Sequence, residues 1–211
     1  MESFFNYKIK EFKIESIDGS QIIDLTTSVS GLKYNEDLFS PVVSVQILIV
    51  NTEGWLTKLP ILGGERVYLI VEQEATAERL EFTDTKNTYY ISKILAASSE
   101  DTREAFLLEL ETLEAFTNET SRVFNRYPES EGNVERISTS IKKILKDVLK
   151  TTKKYEENVE ETFNSYSFYG NSKKPFTVLT WLMKKSIPYL NSSKSSKSSG
   201  SAGFLFYENK R

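Results

Sequence analysis

The sequence predicts an α+β protein that is mainly β: an antiparallel, tube-like β-barrel over residues 1–111, followed by an α+β module with two main helices over residues 112–211. Three observations carry this. Apolar and β-branched residues alternate with period two through the first half. No convincing helical spacing occurs before Glu111. After it, apolar residues recur at intervals of three and four.

The barrel is organised around 38–72. After Ser40-Pro41, Val43, Val45, Ile47 and Ile49 point one way, and Val42, Ser44, Gln46, Leu48 and Val50 the other. The first set must lie on a core. The second is mixed, as suits a barrel wall that meets something besides water. Arg66–Glu72 repeats the pattern. The link between them, with Gly54-Trp55-Leu56 and Leu59-Pro60-Ile61-Leu62-Gly63-Gly64, is apolar enough to read as a packed crossover at a barrel mouth.

In chain order, Tyr7–Glu15 is a strand whose apolar phase slips by one residue, the mark of a β-bulge. Asp18-Gly19 sits at the centre of a hairpin turn. Ile23, Leu25, Thr27 and Val29 alternate in one returning strand, and Gly31 marks a bend. Proline at 41 forces a corner. Residues 80–82 and 88–96 are further strands, 98–104 a loop and 105–111 a strand. Beyond these, 112–120 forms a short helix and 121–127 a strand. Asn133 caps a helix carrying Val134, Ile137, Ile141, Ile144, Leu145, Val148 and Leu149. An aromatic strand follows at 162–169. Pro175 opens a last helix with Phe176, Leu179, Leu182, Met183 and Ile187 on one stripe, stopped by Pro188. Residues 191–203 read as a Ser/Lys/Gly tether, and 203–208 as a strand. With that strand barely finished at Arg211, the sequence reads as the N-terminal portion of a longer polypeptide.

Composition narrows the chemistry. With 39% hydrophobic residues, 13 Phe and 11 Tyr, the chain can fill a core. The net charge of −3 gives no electrostatic reason to expect a nucleic-acid or membrane partner. Cysteine and histidine are both absent. Disulfides, Ser-His and Cys-His nucleophile pairs, and zinc sites with Cys or His ligands are therefore excluded. The N-terminus carries no signal-peptide pattern.

Candidate sites are few. Glu129/Glu131 and Glu156/Glu157/Glu160/Glu161 could ligate a hard cation but match no calcium loop, so they read as solvated surface. Lys194 and Lys197 could touch phosphates, though a tether is the simpler reading. Gly63-Gly64 lacks the Lys and Ser/Thr of a phosphate loop and is a turn. Trp55, Phe39, Tyr89 and Tyr90 could stack on a sugar or a base, but such aromatics usually belong to a core. The sequons at Asn118 and Asn191 have no meaning without a secretory route. No catalytic, cofactor-binding or metal-ligating residue is assigned. Two alternatives stand beside a non-catalytic assembly role: a carbohydrate- or peptide-binding barrel of a phage or bacterial surface protein, and a glycosidase using carboxylates alone.

The order of segments resembles the baseplate or tail hub proteins of T-even-like contractile phages. Tyr34-Asn35-Glu36-Asp37-Leu38-Phe39-Ser40-Pro41 followed by Leu59-Pro60-Ile61 is similar to their opening corner and link. Glu119-Thr120-Ser121-Arg122-Val123, the helix after Val134, Lys174-Pro175-Phe176-Thr177-Val178-Leu179-Thr180-Trp181-Leu182 and Gly203-Phe204-Leu205-Phe206-Tyr207-Glu208-Asn209 echo later stretches. The resemblance implies a structural protein of the virion, assembled in the bacterial cytoplasm. It further implies a homotrimeric ring that adapts the six-fold tail tube to the three-fold central spike. Tube, spike and wedge proteins would be the partners; related hub domains occur in type VI secretion spikes. On that reading Val42, Leu48 and Val50 face a barrel neighbour or the lumen wall.

Overall fold

Alternating burial turns the first half of the chain into one antiparallel sheet. The structure, a computed structural model, describes residues 7–51, 60–73, 79–84, 87–100, 103–188 and 203–209. Its strands are β1 (Tyr7–Glu15), β2 (Ile22–Asp24), β3 (Val29–Asn35), β4 (Ser44–Asn51), β5 (Arg66–Gln73), β6 (Arg79–Phe82), β7 (Tyr89–Glu100) and β8 (Arg103–Thr112). They lie in the order β2-β1-β5-β7-β8-β4-β3, with β6 also on β5.

That order forces the sheet to curl. β2 and β3 stand at its opposite ends, yet only Leu25–Ser28 separates them in sequence. Such a link reaches less than about 20 Å, whereas seven strands laid flat would hold the ends roughly 29 Å apart. The turn between them is pinned to β1: Phe12 N–H donates to Thr26 Oγ1 at 2.9 Å and Leu25 N–H to the Phe12 carbonyl at 2.9 Å. Elsewhere along the seam the Tyr34 ring of β3 meets Phe82 of β6 with centroids 6.3 Å apart. Inside lie Phe12, Ile14, Val45, Ile47, Ile49 and Leu108, all fully buried. Each contributes about 1.5–3 kcal/mol through the area it removes from water.

The chain divides into two compact units: Met1–Glu36 with Val43–Leu113, and Asp37–Val42 with Glu114–Arg211. The second holds α1 (Leu113–Thr120, from its second residue), β9 (Arg126–Tyr127), α2 (Ile137–Lys143), β10 (Phe168–Tyr169) and α3 (Pro175–Lys185). Val123, Tyr127, Ile137, Ile144, Leu179 and Leu182 form its separate core. Asn118 and Glu119 fix the start of α3. The Asn118 side-chain oxygen accepts from Phe176 N–H at 2.8 Å, and Lys174 pairs with Glu119 and holds that carboxyl below its ordinary value. The segment 203–209 is tied to this core by Phe206 against Phe176 and by Glu208 on Lys153.

Most expected elements are present. The slip in β1 is a bulge between Ile9 and Glu11 in its ladder with β5. The Asp18-Gly19 turn forms, with Gly19 at φ 70° and the Asp18 carboxylate accepting from Ser16 and Ser20. Pro175 occupies the first turn of α3.

Several boundaries are corrected. The returning strand at 23–29 is broken by a 3-10 turn at Thr26–Ser28, because Asp24 accepts from Thr26 N–H at 3.0 Å and from its hydroxyl. Residues 98–104 are not simply a loop: Ser98 pairs with Ala105 and Ser99 with Glu104, since ladder bonds between main chains do not need apolar side chains. The helix expected from Asn133 starts at Ile137. Glu135 and Arg136 are instead spent on a strand-like contact, with Arg136 bridging Ser165 and the Glu135 carbonyl accepting from Tyr166. Val134 is consequently 81% exposed rather than helical core. That helix continues as a π turn over Ile144–Val148. The strands expected at 121–127 and 162–169 shrink to two-residue ladders plus isolated bridges. Residues 203–208 carry no ladder among the described residues. The Ser/Lys tether at 191–202 and most of the crossover link, including Trp55, lie outside the described residues.

Candidate functional site

Register in the barrel sheet sorts its outward side chains into rows. Gly31, Leu48, Leu107 and Ala96 stand abreast across β3, β4, β8 and β7. This is an apolar row on the face away from the core, with Leu48 38% exposed. The next row is Lys33, Gln46, Glu109 and Lys93, in which Lys93 Nζ bonds Glu109 at 3.2 Å. Beyond it runs a polar belt: Asn35, Ser44, Glu111, Tyr90, Arg66 and Glu15. Tyr68 donates its hydroxyl to Glu15 at 2.7 Å, which raises its pKa, and the Arg66 guanidinium lies 4.9 Å from the Tyr68 ring centroid. The wall is therefore two-sided, as its alternation requires: dry within, and outside an apolar row beside charged ones.

The chain enters β5 through a sharp turn. The buried Glu65 carboxylate accepts from Leu62 N–H at 2.5 Å and Gly63 N–H at 3.0 Å. Gly63 and Gly64, at φ 95° and 99°, let the chain turn there. Beyond Ile91, no described strand pairs with β7 on the side away from β8. Ile94, Leu95, Ala96, Ala97, Ser98 and Ser99 are all exposed. A long strand edge of this kind invites pairing.

The sequence-derived candidates fall as follows. Tyr89 is only 2% exposed and packs on Phe82 at 4.7 Å, so it is core and no stacking platform. Tyr90 is half-buried in the polar belt, and Phe39 is 83% exposed. Glu131 pairs with Arg126 at 3.2 Å and Glu161 with Arg136 at 2.7 Å, while Glu129, Glu156, Glu157 and Glu160 are exposed. Among the described residues no group of His, Cys, Asp and Glu is arranged to hold a metal. Asn118 is buried and hydrogen-bonded, which leaves its amide no room for a glycan. Val43, Val45, Ile47 and Ile49 are buried, whereas Val42 and Val50 are partly exposed and Leu48 is exposed. Leu107, Ala96 and Gly31 extend that outer row without having been singled out. The alternation of Phe106, Leu108 and Leu110 held the signal, since it turns Leu107 outward. A pocket of about 300 Å³ in the second unit is lined by Pro128, Asn133, Thr139 and Lys143, and its Lys143 is already paired with Glu135 at 2.7 Å.

No family model and no curated protein sequence matches the chain. Solved structures do. A 43 kDa tail protein of prophage MuSo2 from Shewanella oneidensis aligns with 85% of this chain at TM-score 0.52 and 14% identity. A tail protein from Neisseria meningitidis MC58 aligns with 85% at TM-score 0.47 and 12% identity. The chain spans about half the length of these proteins, 48% and 45% respectively. At such identity the Shewanella likeness establishes a shared fold.

Proposed function

We propose that this chain is a structural component of a phage tail, a baseplate hub subunit without enzymatic activity. In it, copies form a trimeric ring between the six-fold tail tube and the three-fold central spike. The observation that supports this most is the two-sided barrel wall: a sealed core behind Val45, Ile47 and Ile49, and an outward row of Leu48, Leu107 and Ala96. A ring lined by barrels needs such walls and no catalytic residues. The fold shared with the prophage tail protein points the same way.

The sugar-binding alternative loses Tyr89 to the core. Immunogold electron microscopy of purified tails, with antibody raised to this chain, tests the proposal. Label at the end of the tail remote from the head is expected. Particles that carry no label, from lysates that contain the chain, would refute it.

A further inference from the structure

The pocket of about 300 Å³ in the second unit sits at the lower bound of small-molecule sites. One wall is the turn from Pro128 to Glu135, and the other is α2, through Thr139 and Lys143. Its charges do not cancel. Lys143 Nζ is spent on Glu135 at 2.7 Å, a carboxylate whose side chain is only 12% exposed. Glu129 lines the pocket with no ion pair among the described residues. The neighbouring Lys142 and Lys146 do not line it. The walls therefore hold one unmatched negative charge. A second observation lies beside them. Tyr127, next to Pro128, is 1% exposed, with its ring fixed on Phe168 at 5.2 Å between centroids. Its hydroxyl makes no hydrogen bond among the described residues, whereas a buried tyrosine normally finds a partner. Burial, and then the charges of Asp147, Glu129 and Glu135, push its pKa up. The hydroxyl thus stands in the negative field of carboxylates that include the pocket's own two.

We infer that this pocket binds a primary alkylammonium group, carried either by a lysine side chain of a polypeptide or by a free aliphatic amine. Elimination and fit both lead there. An anion would meet the unmatched charge of Glu129. A bound metal ion needs several ligands at once, and no described group of carboxylates supplies them. No aromatic side chain lines the pocket, so a sugar ring or a base has nothing to stack on. An alkylammonium fits each part of the site. Its charge answers Glu129, and its N–H groups find acceptors in Ser130, Asn133 and Thr139. Its methylene stem lies against Pro128 and Val134, as such stems do on apolar surface. Glu135 keeps Lys143, so Glu129 is the carboxylate left for the ligand. This site depends neither on the barrel wall nor on the tail reading.

The test is an amide NMR titration of the full chain with butylammonium chloride at fixed ionic strength, and in parallel with Nα-acetyl-lysine methylamide. Saturating shifts are expected at the amides of Ser130, Asn133 and Thr139. The dissociation constant should be roughly 1–10 mM, since a single exposed carboxylate adds little. Tighter binding of the blocked lysine assigns a polypeptide side chain, and tighter binding of butylammonium a free amine. Glu129→Gln should raise the constant about threefold or more. Because Glu129 is exposed, that variant keeps the fold. Lys143→Met should act in the opposite direction, lowering the constant about threefold or more, because it removes the ammonium that competes for Glu135. A merely structural Lys143 would weaken binding instead. Shifts that fail to saturate by about 100 mM overturn the inference. So do equal shifts with tetramethylammonium, which has no N–H to donate, and unchanged binding by Glu129→Gln.

Discussion

Glu65 holds Gly63 by its main chain: the 1% exposed carboxylate accepts the Gly63 N–H at 3.0 Å and the Leu62 N–H at 2.5 Å. The residue that enters β5 thereby fixes the turn before it. Glu65→Ala takes the acceptor from the Leu62 and Gly63 N–H groups and removes charge-assisted bonds. A loss of about 2–4 kcal/mol is expected, at the strong end for such groups, read as a fall in the urea midpoint with unchanged slope. Indifference to the substitution would show that water replaces the carboxylate there.

Neighbouring residues of β4 should behave oppositely. Ile47 is fully buried and Leu48 is 38% exposed. Ile47→Ala should cost about 2–5 kcal/mol through transfer and cavity terms, while Leu48→Ala costs under about 1 kcal/mol in the isolated chain. Chemical denaturation checks both. Equal losses would mean that the wall is dry on both sides.

Gly170 packs against Val123 so closely that an added Cβ would lie 2.3 Å from the Val123 carbonyl oxygen. Gly170→Ala should destabilise by more than about 2 kcal/mol, because the main chain must move. Gly132→Ala, at φ 83° with open space around it, costs only about 1 kcal/mol of backbone strain. Thermal melts of the two variants should rank in that order.

The Asp18 carboxyl is drawn down to about 2 from its ordinary 3.8, first by the hydroxyls of Ser16 and Ser20 and then by the Ser20 N–H. Its folded value lies below its unfolded one. The stability it lends is therefore present above pH 3.8 and lost as the pH falls toward 2. A carboxyl-carbon NMR titration should place its midpoint near 2, and Ser20→Ala should move it upward. A midpoint already at 3.8 would mean that the turn is open in solution.

Legibility followed the range of the forces involved. The core face of β4, the bulge in β1 and the Asp-Gly turn were readable because each is set by residues within a few positions of one another. The break at Thr26 was hidden, because Asp24 competes with the ladder through its side chain while Phe12, fourteen residues away, supplies the second bond. The late start of α2 was hidden for a similar reason: Asn133 is a good cap by type, but Glu135 and Arg136 find strand partners near Ser165. Side-chain alternation told which faces of the wall are dry. It could not tell that the chain preceding β5 turns away at Gly63-Gly64 and leaves the outer part of β7 without a described neighbour on one side.

The most direct test of the whole account is a cryo-electron-microscopy map of the tail end in which this chain is traced. The account predicts Ile47 enclosed within its own barrel and Leu48, Leu107 and Ala96 covered by an adjacent subunit. A map in which that outer row faces solvent all the way round the assembly would contradict it.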